Sequence, residues 1–103
     1  MGKKRPERTE RRARDRAARQ LIRDREKLAA LSPGGSEDRP IEVESPAVIE
    51  LRAGSMPCPV CDGELVVGDH QSAAPGLRVV SVACRVCRTP RQIWFRLGSS
   101  APS

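Results

Sequence analysis

Four cysteines stand in two pairs of identical internal spacing: Cys58-Pro59-Val60-Cys61 and, 22 residues later, Cys84-Arg85-Val86-Cys87. A Cys-x-x-Cys step bends the backbone into a tight turn that presents two thiolates to one ion. Two such turns face to face give a tetrahedral all-sulfur shell with metal–sulfur distances of about 2.3 Å. The spacing therefore predicts one structural Zn2+ on Cys58, Cys61, Cys84 and Cys87. The competing readings fit less well. Disulfides belong to oxidising compartments, and no apolar run follows the basic N-terminus as it would in a secretory signal. A redox dithiol needs a βαβ setting that this sequence lacks. An iron site of the same spacing relies on an aromatic core, and only Trp94 and Phe95 are aromatic here.

A closed four-cysteine shell leaves no position for water or substrate, so a non-catalytic role is expected. No nucleophile motif or glycine-rich phosphate loop stands out. His70, the sole histidine, falls between two expected strands and is not expected to ligate; Asp62 and Glu64 read as turn and strand-surface residues.

The elements that must position these cysteines are short. The spacer between the pairs divides into a strand at Glu64–Asp69, a loop over 70–76 and a valine-rich strand at Leu77–Ala83, a hairpin that carries the second turn back to the first. Arg91–Leu97 reads as a further strand, with Ile93, Phe95 and Leu97 on one face and Gln92, Trp94 and Arg96 on the other. Ala47–Arg52 reads as a strand leading into the cysteine domain. With 31% charged and 2% aromatic residues in 103, packing alone makes a meagre core. Small domains of this kind need a staple, and structural zinc contributes on the order of 10–16 kcal/mol of apparent folding free energy.

The two knuckles and the hairpin between them resemble the zinc ribbons of transcription factors, RNA polymerase subunits and ribosomal proteins. The resemblance covers residues 58–97. It implies a small metal-stabilised β domain, a zinc ribbon with a three- to four-stranded antiparallel sheet and the metal at one end. In such knuckles glycine often directly follows the second cysteine; here Asp62 and Arg88 take that place, with Gly63 one residue later.

Ahead of this domain runs a long basic N-terminal α-helix. From about residue 7 to 31 there is no Gly or Pro, and Arg, Ala, Glu, Lys and Leu dominate. Glu7–Arg11, Glu10–Arg14 and Asp15–Arg19 have i,i+4 spacing in the favourable order. Ser32-Pro33-Gly34-Gly35 ends the helix. The expected organisation is a basic helical arm over 1–31, a linker over 32–46 with a short extended piece at Ile41–Val43, the ribbon over 47–97 and a disordered tail over 98–103.

The formal net charge of +6 sits on the arm: residues 1–30 carry twelve Lys/Arg against five Asp/Glu, residues 31–103 seven against eight. Arg8, Arg12, Arg16, Arg19, Arg23 and Lys27 recur at steps of three and four, forming one stripe that Arg5 continues; Ala13, Ala17, Leu21, Leu28 and Leu31 lie roughly opposite. Two partner classes follow. Nucleic acid would meet the stripe, with Trp94 and Arg96 as candidate base and phosphate contacts, although Trp94 also reads as a packing residue. A protein would instead use the ribbon as a platform and Leu21, Ile22, Leu28 and Leu31 on the arm. A third reading is a thiol redox or zinc sensor, since oxidation of the ligands would release the ion. No apolar run is long enough to cross a bilayer, so a cytoplasmic location with neither a membrane partner nor a small-molecule substrate is expected.

Overall fold

Helix-favouring composition from Arg5 onward produces a single 27-residue helix, α1 (Arg5–Leu31), about 40 Å long at 1.5 Å per residue. The structure, a computed structural model, describes the backbone of residues 5–98 and the side chains of 8–98. The basic tail before Arg5, the side chain of Arg5 itself and the tail from residue 99 lie outside the described residues. After α1 come β1 (Ile41–Val43), a 3-10 turn (Pro46–Val48), α2 (Ile49–Ser55), β2 (Leu65–Ala74), β3 (Leu77–Cys84) and β4 (Pro90–Leu97).

The four strands form one sheet in the order β1-β4-β3-β2. β2–β3 and β3–β4 are antiparallel. β1 runs parallel to β4, with Ile41 opposite Phe95 and Val43 opposite Leu97, so the sheet is mixed and not wholly antiparallel. Within the segment read as a linker, Ile41–Val43 is thus an edge strand: Ile41 and Val43 turn their apolar side chains to the core face while Glu42 stays exposed. Gly34 ties the same segment down, its carbonyl accepting from the Trp94 amide at 2.9 Å. The segment read as a loop at 70–76 is mostly strand. β2 continues to Ala74 through irregularities at Val67/His70 and Ser72/Ala74, the first at Gly68-Asp69, where a glycine in a strand marks a bulge. Only Pro75-Gly76 remains to make the hairpin turn.

Ala47–Arg52 is helical, not a strand. Ser45 caps the start, its hydroxyl accepting from the Ala47 amide at 3.1 Å, and Pro46 follows at the first helical position. Helical spacing buries Ile49 and Ala53 and leaves Leu51 76% exposed; strand alternation would have buried Ile49 and Leu51 together. Ile49 and Ala53 cover one sheet face, where they meet Val80, Val82, Ile93, Phe95 and Val43, and the cluster runs on into Leu65, Cys58 and Cys84. The core and the cysteine sulfurs are therefore one continuous body.

Among the described residues, α1 touches this body through its last turns. Arg25 donates to the Val60 carbonyl at 2.6 Å, and Glu26 pairs with Arg91 at 3.0 Å. Residues 8–24 are exposed throughout, and the molecule extends 77 Å while measuring 23 by 17 Å across. After Leu31, Gly34 adopts φ +85°, and a Cβ there would lie 2.8 Å from Ile41 Cδ1 and 3.0 Å from Ile93 Cγ2. Gly34→Ala is accordingly expected to destabilise the fold by about 1–3 kcal/mol, measured by denaturant unfolding of the metal-loaded protein; an unchanged midpoint would contradict this packing.

Candidate metal centre

The two knuckles are built alike. The Asp62 amide donates to the Cys58 carbonyl at 2.7 Å and the Arg88 amide to the Cys84 carbonyl at 3.0 Å. Each turn is closed from the other side, by Cys58 N–H to the Gly63 carbonyl at 2.9 Å and Cys84 N–H to the Thr89 carbonyl at 3.1 Å. Asp62 and Arg88 have φ of 64° and 62°. The position directly after the second cysteine thus demands left-handed backbone, which explains why glycine suits it and what these two residues cost there.

Gly63 is required for a different reason. A Cβ on it would lie 2.8 Å from Cys84 Sγ and 2.8 Å from Val86 Cγ2, so the backbone of the first knuckle rests directly on the sulfur of the second. The bridge between Pro57 and Glu64 and the Arg85 amide bond to the Glu64 carbonyl, at 2.8 Å, hold the knuckles in register.

This convergence brings Cys58, Cys61, Cys84 and Cys87 together, all four sulfurs within 4.8 Å of one another. Cys58 and Cys87 lie 3.8 Å apart and Cys61 and Cys84 3.4 Å apart. The edge of a tetrahedron with 2.3 Å metal–sulfur arms is about 3.8 Å, so the four can hold a metal ion. The cysteines are free, not disulfide-bonded, with Cys58 and Cys84 buried and Cys61 exposed.

Backbone amides already favour thiolates: Val60 N–H points to Cys58 Sγ at 3.4 Å, and Val86 and Cys87 N–H to Cys84 Sγ at 3.3 and 3.4 Å. The Cys87 amide, aided by Val86, holds the Cys84 thiol below its ordinary range against desolvation. Thr89, by its hydroxyl and its amide, brings the Cys87 thiol down to about 6. At Cys61 the Gly63 amide favours the thiolate, but a hydrogen bond with Cys84, desolvation, and bonds with Cys87 and Cys58 outweigh it and push the thiol up to about 12.

His70 stands apart from the cluster, in β2. Arg78 can only donate, so His70 Nε2 accepts from it at 3.3 Å and Nδ1–H donates to Glu50 at 3.1 Å. Of the arginines beside the second knuckle, Arg85 pairs with Glu64 at 3.6 Å and Arg91 with Glu26; Arg88 is exposed and meets no carboxylate among the described residues. A groove of about 400 Å³ between the end of α1 and the sheet is walled by Ala29, Met56, Leu65 and Ile93. Its one carboxylate, Glu26, is paired with Arg91, and its one hydroxyl, Ser32, donates to the Leu28 carbonyl.

The stripe residues Arg8, Arg12, Arg16, Arg19, Arg23 and Lys27 are all exposed. Glu10–Arg14 and Asp15–Arg19 are not closed as ion pairs, and among the described residues none of these cations meets a carboxylate within 4.0 Å. Arg23 bonds only to Gln20, at 3.1 Å. The opposite seam is just as bare, with Leu21 51%, Leu28 65% and Leu31 61% exposed. Trp94 is half-buried opposite Val79, and Arg96 is exposed on the same sheet face. The end of α1 contacts Arg91, whose side chain belongs to the other face, so Trp94 and Arg96 are not brought to the arm. Sequence reading missed Arg25, Glu26 and Thr89. Only Thr89, two residues after a ligand, carried a local signal. Comparison with known protein families, curated proteins and solved structures found no match to this chain.

Two outcomes follow. Replacing Arg88 by Gly relieves the left-handed strain and raises stability by about 0.5–1 kcal/mol, whereas Gly63→Ala pushes the knuckles apart and weakens metal binding, as competition with a chromophoric chelator will measure. Metal affinity also rises with pH, because the Cys61 proton must leave before its sulfur can ligate. Metal-bound thiolates act as groups with depressed pKa, so the stability they lend is present at neutral pH and lost on acidification. Between pH 6 and 8 affinity should tighten by roughly tenfold per unit for each proton released; a flat profile would exclude thiolate ligation.

Proposed function

We propose that this protein is a non-catalytic zinc-ribbon-type module that associates with nucleic acid, alone or within a nucleoprotein assembly, through its basic arm. Zinc is the reading that best suits four sulfurs on two knuckles: soft thiolates select against magnesium and calcium, and tetrahedral all-sulfur sites suit Zn2+. A reducing, cytoplasmic setting would keep the thiols available as ligands. A closed shell, and a groove whose one carboxylate and one hydroxyl are already engaged, support a structural role over catalysis.

The observation that carries the nucleic-acid reading is the row of cations with no carboxylate partner among the described residues, on a helix that projects from the domain. Charges that stabilise a fold are paired within it; these six are held at regular intervals on a rigid rod, where a polyanion can meet several at once. A protein partner seated on exposed Leu21, Ile22, Leu28 and Leu31 is the second reading, favoured by the bareness of that seam. Among the described residues no helix is long and apolar enough to cross a membrane.

Binding of the full chain to a DNA duplex, an RNA duplex and single strands across a salt series tests the proposal. Engaging six phosphates on B-DNA gives a slope of log K against log salt of about −5. Changing Arg8, Arg12, Arg16 and Arg19 to Gln should remove most of it while leaving the metal, about one equivalent of zinc by elemental analysis, in place. No binding to any of these at low salt would overturn the nucleic-acid reading in favour of a protein partner.

A further inference from the structure

Resting on that reading, we infer that the partner is double-stranded DNA and that the first half of α1 lies in its major groove. Two rows of arginine, not one, clothe this half. At about 100° per residue, Ala13 and Ala17 share one direction. The Arg8–Lys27 stripe is centred about 110° to one side of it, and Arg11 and Arg14 about 110° to the other. All these arginines are exposed, and none meets a carboxylate within 4.0 Å among the described residues. A single row suits one strand of phosphates or a flat anionic surface. Two rows flanking an alanine strip whose one charge in this half is Glu10 suit two phosphate walls with base edges between them.

The direction in which the helix is anchored agrees. Arg25, Glu26 and Ala29, the residues by which α1 meets the cysteine domain, lie on the side of the helix roughly 150° from Ala13 and Ala17. The domain is therefore held behind the rod, and the alanine strip faces away from it along an exposed stretch.

Dimensions and chemistry then separate the nucleic acids. A helix of about 10–12 Å diameter matches a B-form major groove about 12 Å wide. The A-form major groove of RNA is too deep and narrow for side chains to read. Single strands are gripped by stacking bases on aromatic rings, and the described arm has none: Phe95 is fully buried and Trp94 lies on the far sheet face. Glu10, beside Ala17 within the alanine strip, is repelled by phosphates at the walls but can accept from a cytosine amino group at the floor.

The test uses the full-length, metal-loaded protein and fluorescence anisotropy with a mixed-sequence 20-base-pair DNA duplex, the RNA duplex of the same sequence and the single DNA strand. The DNA duplex is expected to bind at least about tenfold more tightly than either alternative at equal salt. A13L/A17L keeps every charge and a strong helix former at each site, yet thickens the strip; it should weaken DNA-duplex binding by about tenfold and leave the weaker RNA binding unchanged. Equal or tighter binding to RNA duplex or single strands, or a DNA affinity indifferent to A13L/A17L, would overturn groove insertion while leaving nucleic-acid association standing. Failure of all three probes to bind would remove both.

Discussion

Everything compact in this molecule depends on two short turns leaning on one another through sulfur. Each knuckle spends backbone strain, at Asp62 and Arg88, to aim amides at its own thiols, and Gly63 is bare so that the first turn can rest on Cys84 of the second. Four thiolates this close repel one another strongly; an ion at their centre would convert that repulsion into attraction and offset both the strain and the lost chain entropy. The apolar core does not stand apart from this arrangement. Cys58 and Cys84 are themselves fully buried members of the cluster that includes Leu65, Ile49 and Phe95, so the turns, α2 and the sheet order together.

The arm inherits its direction from the same place. Arg25 donates to the carbonyl of Val60, a residue inside the first knuckle, and Glu26 pairs with Arg91, three residues beyond Arg88 in the second. Among the described residues these are the side-chain hydrogen bonds and ion pairs that tie α1 to the domain, with Ala29 beside the groove and the turn after Leu31 completing the junction. A long helix with exposed charges has little tertiary packing to stabilise it, so a firm root counts for more here than in a buried helix: it fixes the first hydrogen-bonded turns, from which the rest can propagate. Loss of the knuckle would remove the Val60 acceptor and with it one of the two bonds that aim the rod.

How much of this was legible in the sequence follows from the range of the forces involved. The knuckles, the hairpin and α1 rest on local signals: a repeated Cys-x-x-Cys, valine-rich alternation, and an uninterrupted helical composition stopped by Ser32-Pro33-Gly34-Gly35. α2 was misread because Ala47–Arg52 is a short mixed run whose period is ambiguous; the deciding signal was its cap, Ser45-Pro46, just outside the run. The parallel pairing of β1 with β4 was not legible, since Ile41 meets Phe95 across 54 residues of chain and a three-residue strand has too little pattern to announce its partner. The root of α1 was illegible for a like reason. Arg25 and Glu26 look like two more charges among many, and only the fold shows that they leave the stripe to bond elsewhere.

Charge is distributed along the same division. The domain is close to neutral in its side chains, and a metal with four thiolates adds net negative charge at one end. Arg85 and Arg91, the cations best placed in sequence to answer it, are already engaged by Glu64 and Glu26, which leaves exposed Arg88 as the free cation of the second knuckle among the described residues. A polyanion approaching the domain would therefore meet little attraction there and a great deal along α1. Setting the arginines on a rod that leaves the domain within a few residues of Arg25 separates the attractive surface from the anionic cluster by several Debye lengths at its tip, about 8 Å each at physiological salt. A metal-loaded cluster would then keep the negative charge of its thiolates without lowering the positive potential along α1, and the cations of α1 would not disturb the cluster.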